Sequence, residues 1–237
     1  MAATETRPDP VRALTASGRG RRDWRAVRRA LATYRSMPGA ARGFAVARYA
    51  IAPLGPLTQE LGTASGRVLS LGSGLCMVER YLTEVNPDLS FEGIDLDVEK
   101  AELIAATQHL SPRVELVVGD ATRLDDRRGY AAVLVCDALH HLPLETHAAL
   151  ATDIAAALAP GGVCIVKDLD VAPRWKYRWN RVHDRLVAGP EPLACRSVAS
   201  MARLLETAGL VVERAERTER SWEPYAHYVV RARRPVT

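Results

Sequence analysis

Arg67-Val-Leu-Ser-Leu-Gly-Ser-Gly-Leu-Cys76, followed after a helix-sized gap by Phe91-Glu-Gly-Ile-Asp-Leu-Asp97, decides the fold of this chain. The first piece is an apolar run that ends in two glycines one residue apart. The second is another apolar run, tipped by an acid. A strand, a glycine turn, a helix and a strand ending in a carboxylate is the way a doubly wound sheet holds a nucleoside. Asp95 follows Gly72 at close to the roughly 20-residue spacing expected of an acid that accepts from ribose hydroxyls.

The glycines also restrict the nucleoside. A dinucleotide turn needs a third glycine, so that the helix can sit close to the strand and receive a pyrophosphate at its N-terminus. Counted from Gly72, that place is held by Met77. Leu71-Gly-Ser-Gly74 instead resembles the first motif of the class I S-adenosylmethionine (SAM)-dependent methyltransferases, and the motifs that follow resemble their small-molecule biosynthetic branch in order.

Working outward, the pattern alternates strands and helices. Strands are expected at 67–71, 89–94, 114–118, 131–136 and 163–167, with helices at 77–84, 98–110 and 144–158 between them and a turn at 159–162. Near-continuous apolar strands separated by helices predict a parallel sheet covered on both faces. A helix at 197–208 and strands at 210–214 and 225–231 close the chain. The last connection is too short for a crossover helix, so an antiparallel last strand is expected. The fold class is therefore α/β, a doubly wound, mostly parallel seven-stranded sheet in 63–237. Residues 168–192 read as irregular and aromatic.

Before the sheet lies a helical prefix, 23–62. Asp23 can cap a helix on which Trp24, Val27, Leu31 and Tyr34 share a stripe. Pro38 can open a second helix that carries Phe44, Val46 and Tyr49, and a short third one leads to Leu61. Residues 1–22 hold prolines, small residues and arginines without periodicity and read as a disordered basic arm.

The net charge is +4, but residues 1–61 carry eleven arginines against Glu5, Asp9, Asp23 and Glu60. A basic prefix suits either a solvated helix face or an acidic partner: nucleic acid, a membrane surface, an anionic substrate or an acidic carrier protein. No run reaches the roughly 20 apolar residues of a membrane span, and the first residues lack the apolar segment of a signal peptide. A cytoplasmic protein is expected. Cys76, Cys136, Cys164 and Cys195 form no C-x-x-C pair and read as reduced thiols. The oligomeric state is not set by sequence.

The resemblance assigns a site. It implies SAM as cofactor and S-adenosylhomocysteine as product. Gly72 and Gly74 would let the backbone approach the methionine part. Asp95, followed by Leu96, would take the ribose hydroxyls, with Asp97 either an alternative or the cap of the next helix. Asp120 and Ala121, in Val118-Gly-Asp-Ala121, match the third-strand motif whose acid receives the adenine amino group. Two departures stand out: Ser70 replaces the acid that orients the methionine ammonium, and Cys76 replaces a further glycine. Arg48 or Tyr49 is placed to reach the methionine carboxylate.

Chemistry belongs at the C-terminal strand ends. Cys136-Asp-Ala-Leu-His-His-Leu-Pro143 resembles the family's motif after the fourth strand. It offers Asp137 at the cofactor and His141 or His140 as a general base, since a histidine titrates near neutrality. His183, beyond Trp175-Lys-Tyr-Arg-Trp179, is a further candidate. Asp137 and Asp168 stand where catechol-type methyltransferases place Mg²⁺ ligands. Leu169 occupies the place of that family's amide ligand, so no metal is expected. The absence of an Asn/Asp-Pro-Pro-Tyr motif argues against DNA. The reading is methyl transfer to a small-molecule acceptor; RNA methylation through the basic arm and a non-catalytic SAM-fold binding protein are the alternatives.

Overall fold

The computed structural model describes residues 21–107, 111–124, 126–187, 193–218 and 225–236. Three helices come first: α1 (Trp24–Thr33), α2 (Gly39–Ile51) and α3 (Leu54–Leu61). The sheet domain follows as β1 (Gly66–Leu71), α4 (Met77–Val85), β2 (Leu89–Asp95), α5 (Val98–Thr107), β3 (Val114–Val118), β4 (Tyr130–Cys136), α6 (His147–Ala157), β5 (Leu158–Leu169), α7 (Arg174–Val187), α8 (Val198–Thr207), β6 (Val211–Arg217) and β7 (His227–Arg233). The seven strands run in the order β3-β2-β1-β4-β5-β7-β6. β7 is antiparallel to both of its neighbours, and the remaining pairs are parallel.

Strand alternation sorts side chains to two cores, because successive Cβ atoms point to opposite faces. Val68, Phe91, Ala132, Leu134 and Ile165 pack beneath α1–α4. Leu69, Leu71, Ile94, Val133, Val135 and Val166 pack beneath α6 and α8. Register aligns the strand ends: Leu71 stands between Ile94 and Val135. Gly72, Asp95 and Asp137 therefore emerge together at one edge, where the strand order reverses on either side of β1. Ligands enter sheets of this kind at that place.

Asp23 caps α1, its carboxylate accepting from the N–H groups of Arg25 and Ala26 at 2.8 and 3.1 Å. Val27 and Tyr34 are buried as expected, but Trp24 is 61% exposed. On α2 only Ala45 and Tyr49 turn inward, while Phe44 and Val46 are exposed. The buried stripe is narrower than the sequence suggested: Ala26, Ala30 and Ala45 share it with Val27, Tyr34 and Tyr49, and Trp24, Phe44 and Val46 fall outside it.

Three expectations need correction. Residues 174–187, expected as irregular, form α7. Trp175, Trp179 and Val182 do recur at helical spacing, but on the exposed side, where with Arg178 they line an open cleft of about 380 Å³. The buried side carries Lys176 and Asn180, so the helix is amphipathic in the inverse sense. The helix expected from 144 starts at His147, after a 3₁₀ turn at Leu139–His141. β5 begins at Leu158, and the turn expected at 159–162 is a register shift within the pairing with β4, with Gly161 at φ +78°. The basic arm at 1–20 lies outside the described residues.

Candidate active site

The glycine turn is built from two different constraints. At Gly72 (φ +71°) a Cβ would stand 2.5 Å from the Ala138 Cβ, so the turns after β1 and β4 are packed together. At Gly74 (φ +54°) a Cβ would meet nothing within 4 Å, which leaves the backbone open to an approaching group. Cys76 keeps the left-handed conformation (φ +52°) of the family's further glycine without being one. Asp95 ties the turn to β2: one carboxylate oxygen accepts from Gly74 N–H at 2.6 Å, the other from Asp97 N–H at 3.0 Å.

Leu96 is 68% exposed beside it. Asp97 caps α5, accepting from Lys100 N–H at 3.1 Å. Asp120 closes a turn, accepting from the Thr122 N–H and hydroxyl at 2.9 and 2.7 Å. Those bonds lower its pKa. Gly119 N–H reaches the Asp95 carbonyl at 3.0 Å, so Asp120 and Ala121 are held next to the end of β2.

Beneath the glycine turn, Ser70 donates its hydroxyl to Glu79 Oε1. Ser70 is 1% and Glu79 2% exposed. Burial raises the Glu79 pKa, and the Ser70 hydrogen bond only partly opposes this. Glu79 Oε2 is buried without a hydrogen-bond partner among the described residues. A buried acid from α4 thus stands against the β1 position where the resemblance expected one.

A second buried charge cluster joins the strand ends to the prefix. Asp137 is held at φ +53°, and Lys167 Nζ donates to both of its carboxylate oxygens at 2.7 and 2.6 Å. Arg48 of α2 closes on the same carboxylate, and His227 Nε2 lies 3.6 Å from it. Burial disfavours ionised Asp137, but Lys167 and Arg48 outweigh it and hold the carboxyl well below the usual range. Burial, with Lys167 next, pushes His227 down to about 3, so its imidazole is neutral at pH 7. Arg48, expected at the cofactor carboxylate, is an ion-pair partner of Asp137. The Tyr49 hydroxyl is committed to the Met77 carbonyl at 2.7 Å.

The third constellation is His140 with Asp168, both nearly sealed from solvent. His140 Nδ1 meets Asp168 Oδ1. The backbone N–H groups of Leu169 and His140 also donate to that carboxylate, at 2.7 and 3.2 Å. A carboxylate can only accept, so Nδ1 carries a hydrogen and the neutral ring would have its lone pair on Nε2. The exposed His141 ring lies 4.2 Å from that of His140, centroid to centroid. His183 sits on α7, its side chain outside the described residues. Asp137 and Asp168, read together as a possible metal pair, face different partners.

Glu79, Lys167 and His227 were not singled out as functional from sequence. Each is a polar residue at an apolar-patterned position, and that pattern was the signal available.

This glycine turn, acid-tipped second strand and antiparallel seventh strand define a methyltransferase-type nucleoside fold. A methyltransferase-domain family model matches residues 46–215. A SAM-dependent methyltransferase from Methanosarcina mazei superposes with a TM-score of 0.60 at 15% identity, covering 77% of this chain and 98% of that one. The 1,6-didemethyltoxoflavin-N1-methyltransferase of Burkholderia thailandensis, solved with that compound and S-adenosylhomocysteine, superposes at 0.62 with 20% identity, covering 95% and 94%. The cyclase SpnF shares the fold at 0.62 and 16% identity, covering 80% and 82%. No curated protein sequence matches the chain significantly. The chain belongs to the methyltransferase-domain family. Among the described residues no helix is long and apolar enough to cross a membrane.

Proposed function

We propose that this enzyme methylates a protic group on a small-molecule acceptor, with His140 as the general base and Asp168 as the group that orients it. The observation that carries the reading is the His140–Asp168 pair, in which a buried carboxylate fixes the imidazole tautomer at the end of β4. A proton-accepting Nε2 is what attack by a hydroxyl or a protonated nitrogen requires. The Asp168 carboxylate would also stabilise the imidazolium formed when the proton arrives.

The residues present fit SAM. Gly74 leaves its backbone open, and an acid stands at each of the expected strand ends. Gly72 and Gly74 would hold the methionine part, Asp95 with Leu96 the ribose, and Asp120 with Ala121 the adenine. Bound SAM supplies a sulfonium methyl already activated for in-line displacement. Asp137, taken up by Lys167 and Arg48, would bear on the cofactor through those cations. The prefix would serve as a lid, since Arg48 ties α2 to the end of β4. The small-molecule reading is supported by the 1,6-didemethyltoxoflavin-N1-methyltransferase neighbour, which was solved with 1,6-didemethyltoxoflavin bound. Lys167 and Arg48 against the single charge of Asp137 leave a cationic balance that suits an anionic acceptor.

The test is radiolabelled methyl transfer from SAM to a panel of phenols, heterocycles and small acids, with bulk tRNA alongside. Label is expected in small molecules. His140→Ala should lower kcat by about 10²- to 10⁴-fold with S-adenosylhomocysteine affinity unchanged, and Asp168→Asn should act in the same direction. Label in tRNA alone would overturn the substrate class. A fully active His140→Ala would overturn the base and move attention to His141 and His183.

A further inference from the structure

We propose that Glu79 holds the α-ammonium group of the cofactor's methionine part, supplying from helix α4 the negative charge that Ser70 does not supply from β1. The inference rests on the SAM-site reading above and concerns this chain's own solution to its departure from the family pattern.

Three observations place Glu79 at that task. The first is location. Glu79 Oε1 accepts from Ser70, the residue that occupies the usual acid's position two residues before Gly72. Glu79 also lies within electrostatic reach of Asp95 at the end of β2 and of Cys136 at the end of β4. The carboxyl therefore sits under the glycine turn, between the two strand ends that flank β1.

The second observation is the unmet hydrogen-bonding capacity. Oε2 is buried and within hydrogen-bonding geometry of no described residue, the Ser73 hydroxyl being near enough only to favour the charged form. A buried carboxyl oxygen left unpaired costs free energy that a donor of opposite charge would recover. The N–H₃⁺ of an amino acid is such a donor, and it is the only cationic hydrogen-bond donor on the methionine end of SAM.

The third is enclosure. Tyr34 and Tyr49 pack over this region and are themselves committed, their hydroxyls donating to the carbonyls of Leu75 at 2.8 Å and Met77 at 2.7 Å. They exclude water without competing for Oε2. In that setting burial raises the Glu79 pKa and so favours the neutral form over the free carboxylate. Docking the ammonium favours the carboxylate, and the displaced proton passes to solvent.

Two calorimetric measurements test this. In the first, Glu79→Gln and wild type are titrated with S-adenosylhomocysteine and with 5′-methylthioadenosine, which keeps the adenosine but lacks the amino-acid end. The variant should lose about 10- to 100-fold in affinity for S-adenosylhomocysteine, the range of a charge-assisted hydrogen bond. Its affinity for 5′-methylthioadenosine should change less than about twofold. Equal losses for both ligands, or none for either, would overturn the proposal.

The second measurement uses wild type alone and so does not depend on the folding of a variant. S-adenosylhomocysteine is titrated at pH 7 in phosphate and in Tris, whose ionisation enthalpies differ. Proton release is expected on binding, and none with the analogue that lacks the α-amino group. The same enthalpy in both buffers would overturn the proposal. Wild type that binds 5′-methylthioadenosine and S-adenosylhomocysteine equally well would also overturn it while leaving the SAM site intact. Failure to bind either would remove the SAM site itself.

Discussion

Asp137→Asn isolates one electrostatic term in this fold. The substitution keeps the shape of the side chain, and asparagine tolerates the left-handed backbone at φ +53°. What it removes is the charge. Lys167 is only 1% exposed, and its Nζ is bound to both Asp137 oxygens. Without the carboxylate its ammonium is left buried beside a second cation, Arg48. Breaking a buried pair by removing one partner costs about 3–5 kcal/mol. At about 2–4 °C per kcal/mol for a chain of this size, the melting temperature should fall by roughly 6–20 °C. Urea unfolding at 25 °C is the assay, with an unchanged slope as the sign that the native state is otherwise preserved.

The double variant Asp137→Asn/Lys167→Met supplies the control. It removes both buried charges, and the partly exposed Arg48 can turn to water. Most of the lost stability should return, to within about 1–2 kcal/mol of wild type, because a buried pair and an uncharged replacement are often nearly equivalent. The pH dependence has a fixed sign. The folded pKa of Asp137 is depressed, so its stabilisation is complete above the unfolded value of about 4 and is lost as pH falls below it. The gap between wild type and Asp137→Asn should narrow only below about pH 4. A single variant that costs under about 1 kcal/mol, or a double variant no better than the single, would refute the reasoning.

Other expectations follow from the same geometry. Gly72→Ala should destabilise more than Gly74→Ala, since only the former forces a Cβ to 2.5 Å from Ala138. Gly74→Ala should instead show its larger effect on SAM affinity, and denaturation and ligand titration of both variants separate the two. Cys76 and Cys164, buried and with pKa values raised by that burial, should resist a thiol reagent in native protein and react after unfolding. Asn180 is 2% exposed, with neither amide atom bonded among the described residues. Asn180→Leu should therefore stabilise the fold by about 1–2 kcal/mol; a loss of stability on urea unfolding would show that the amide has a partner after all.

The sheet was readable because its signal is local. Each of Val68, Leu69, Phe91, Ile94, Val133 and Val135 is buried because a parallel strand is covered on both faces, and an unbroken apolar run says so directly. Asp23 could be assigned as a cap for the same reason, since the groups it serves lie within three residues. α7 was missed because the rule that reads helices assumes an apolar buried face. Here Lys176 and Asn180 are the buried pair, four residues apart, and the tryptophans are outside. Helical periodicity is present in that stretch, but its polarity is inverted.

The site was legible only where one residue does one job. Asp95 and the glycine pair could be placed because their roles depend on positions along two adjacent strand ends. The roles of Ser70 and Asp137 depend on partners that sequence spacing does not reveal. Ser70 alone is a missing acid; with Glu79, nine positions on and one helical turn before Leu82, it is half of a hydrogen-bonded pair. Glu79 belongs to the buried stripe of α4 with Met77, Leu82 and Thr83, and an uncompensated acid in such a stripe is costly unless something answers its charge. The same logic applies to Lys167, a cation inside an apolar strand, which is answered by Asp137. For Lys167 the answering charge is in the chain. For Glu79 none of the described residues donates a hydrogen bond to Oε2, and that unmet capacity, beside the Ser70 that had read only as a missing acid, is what the proposed role in the cofactor site rests on.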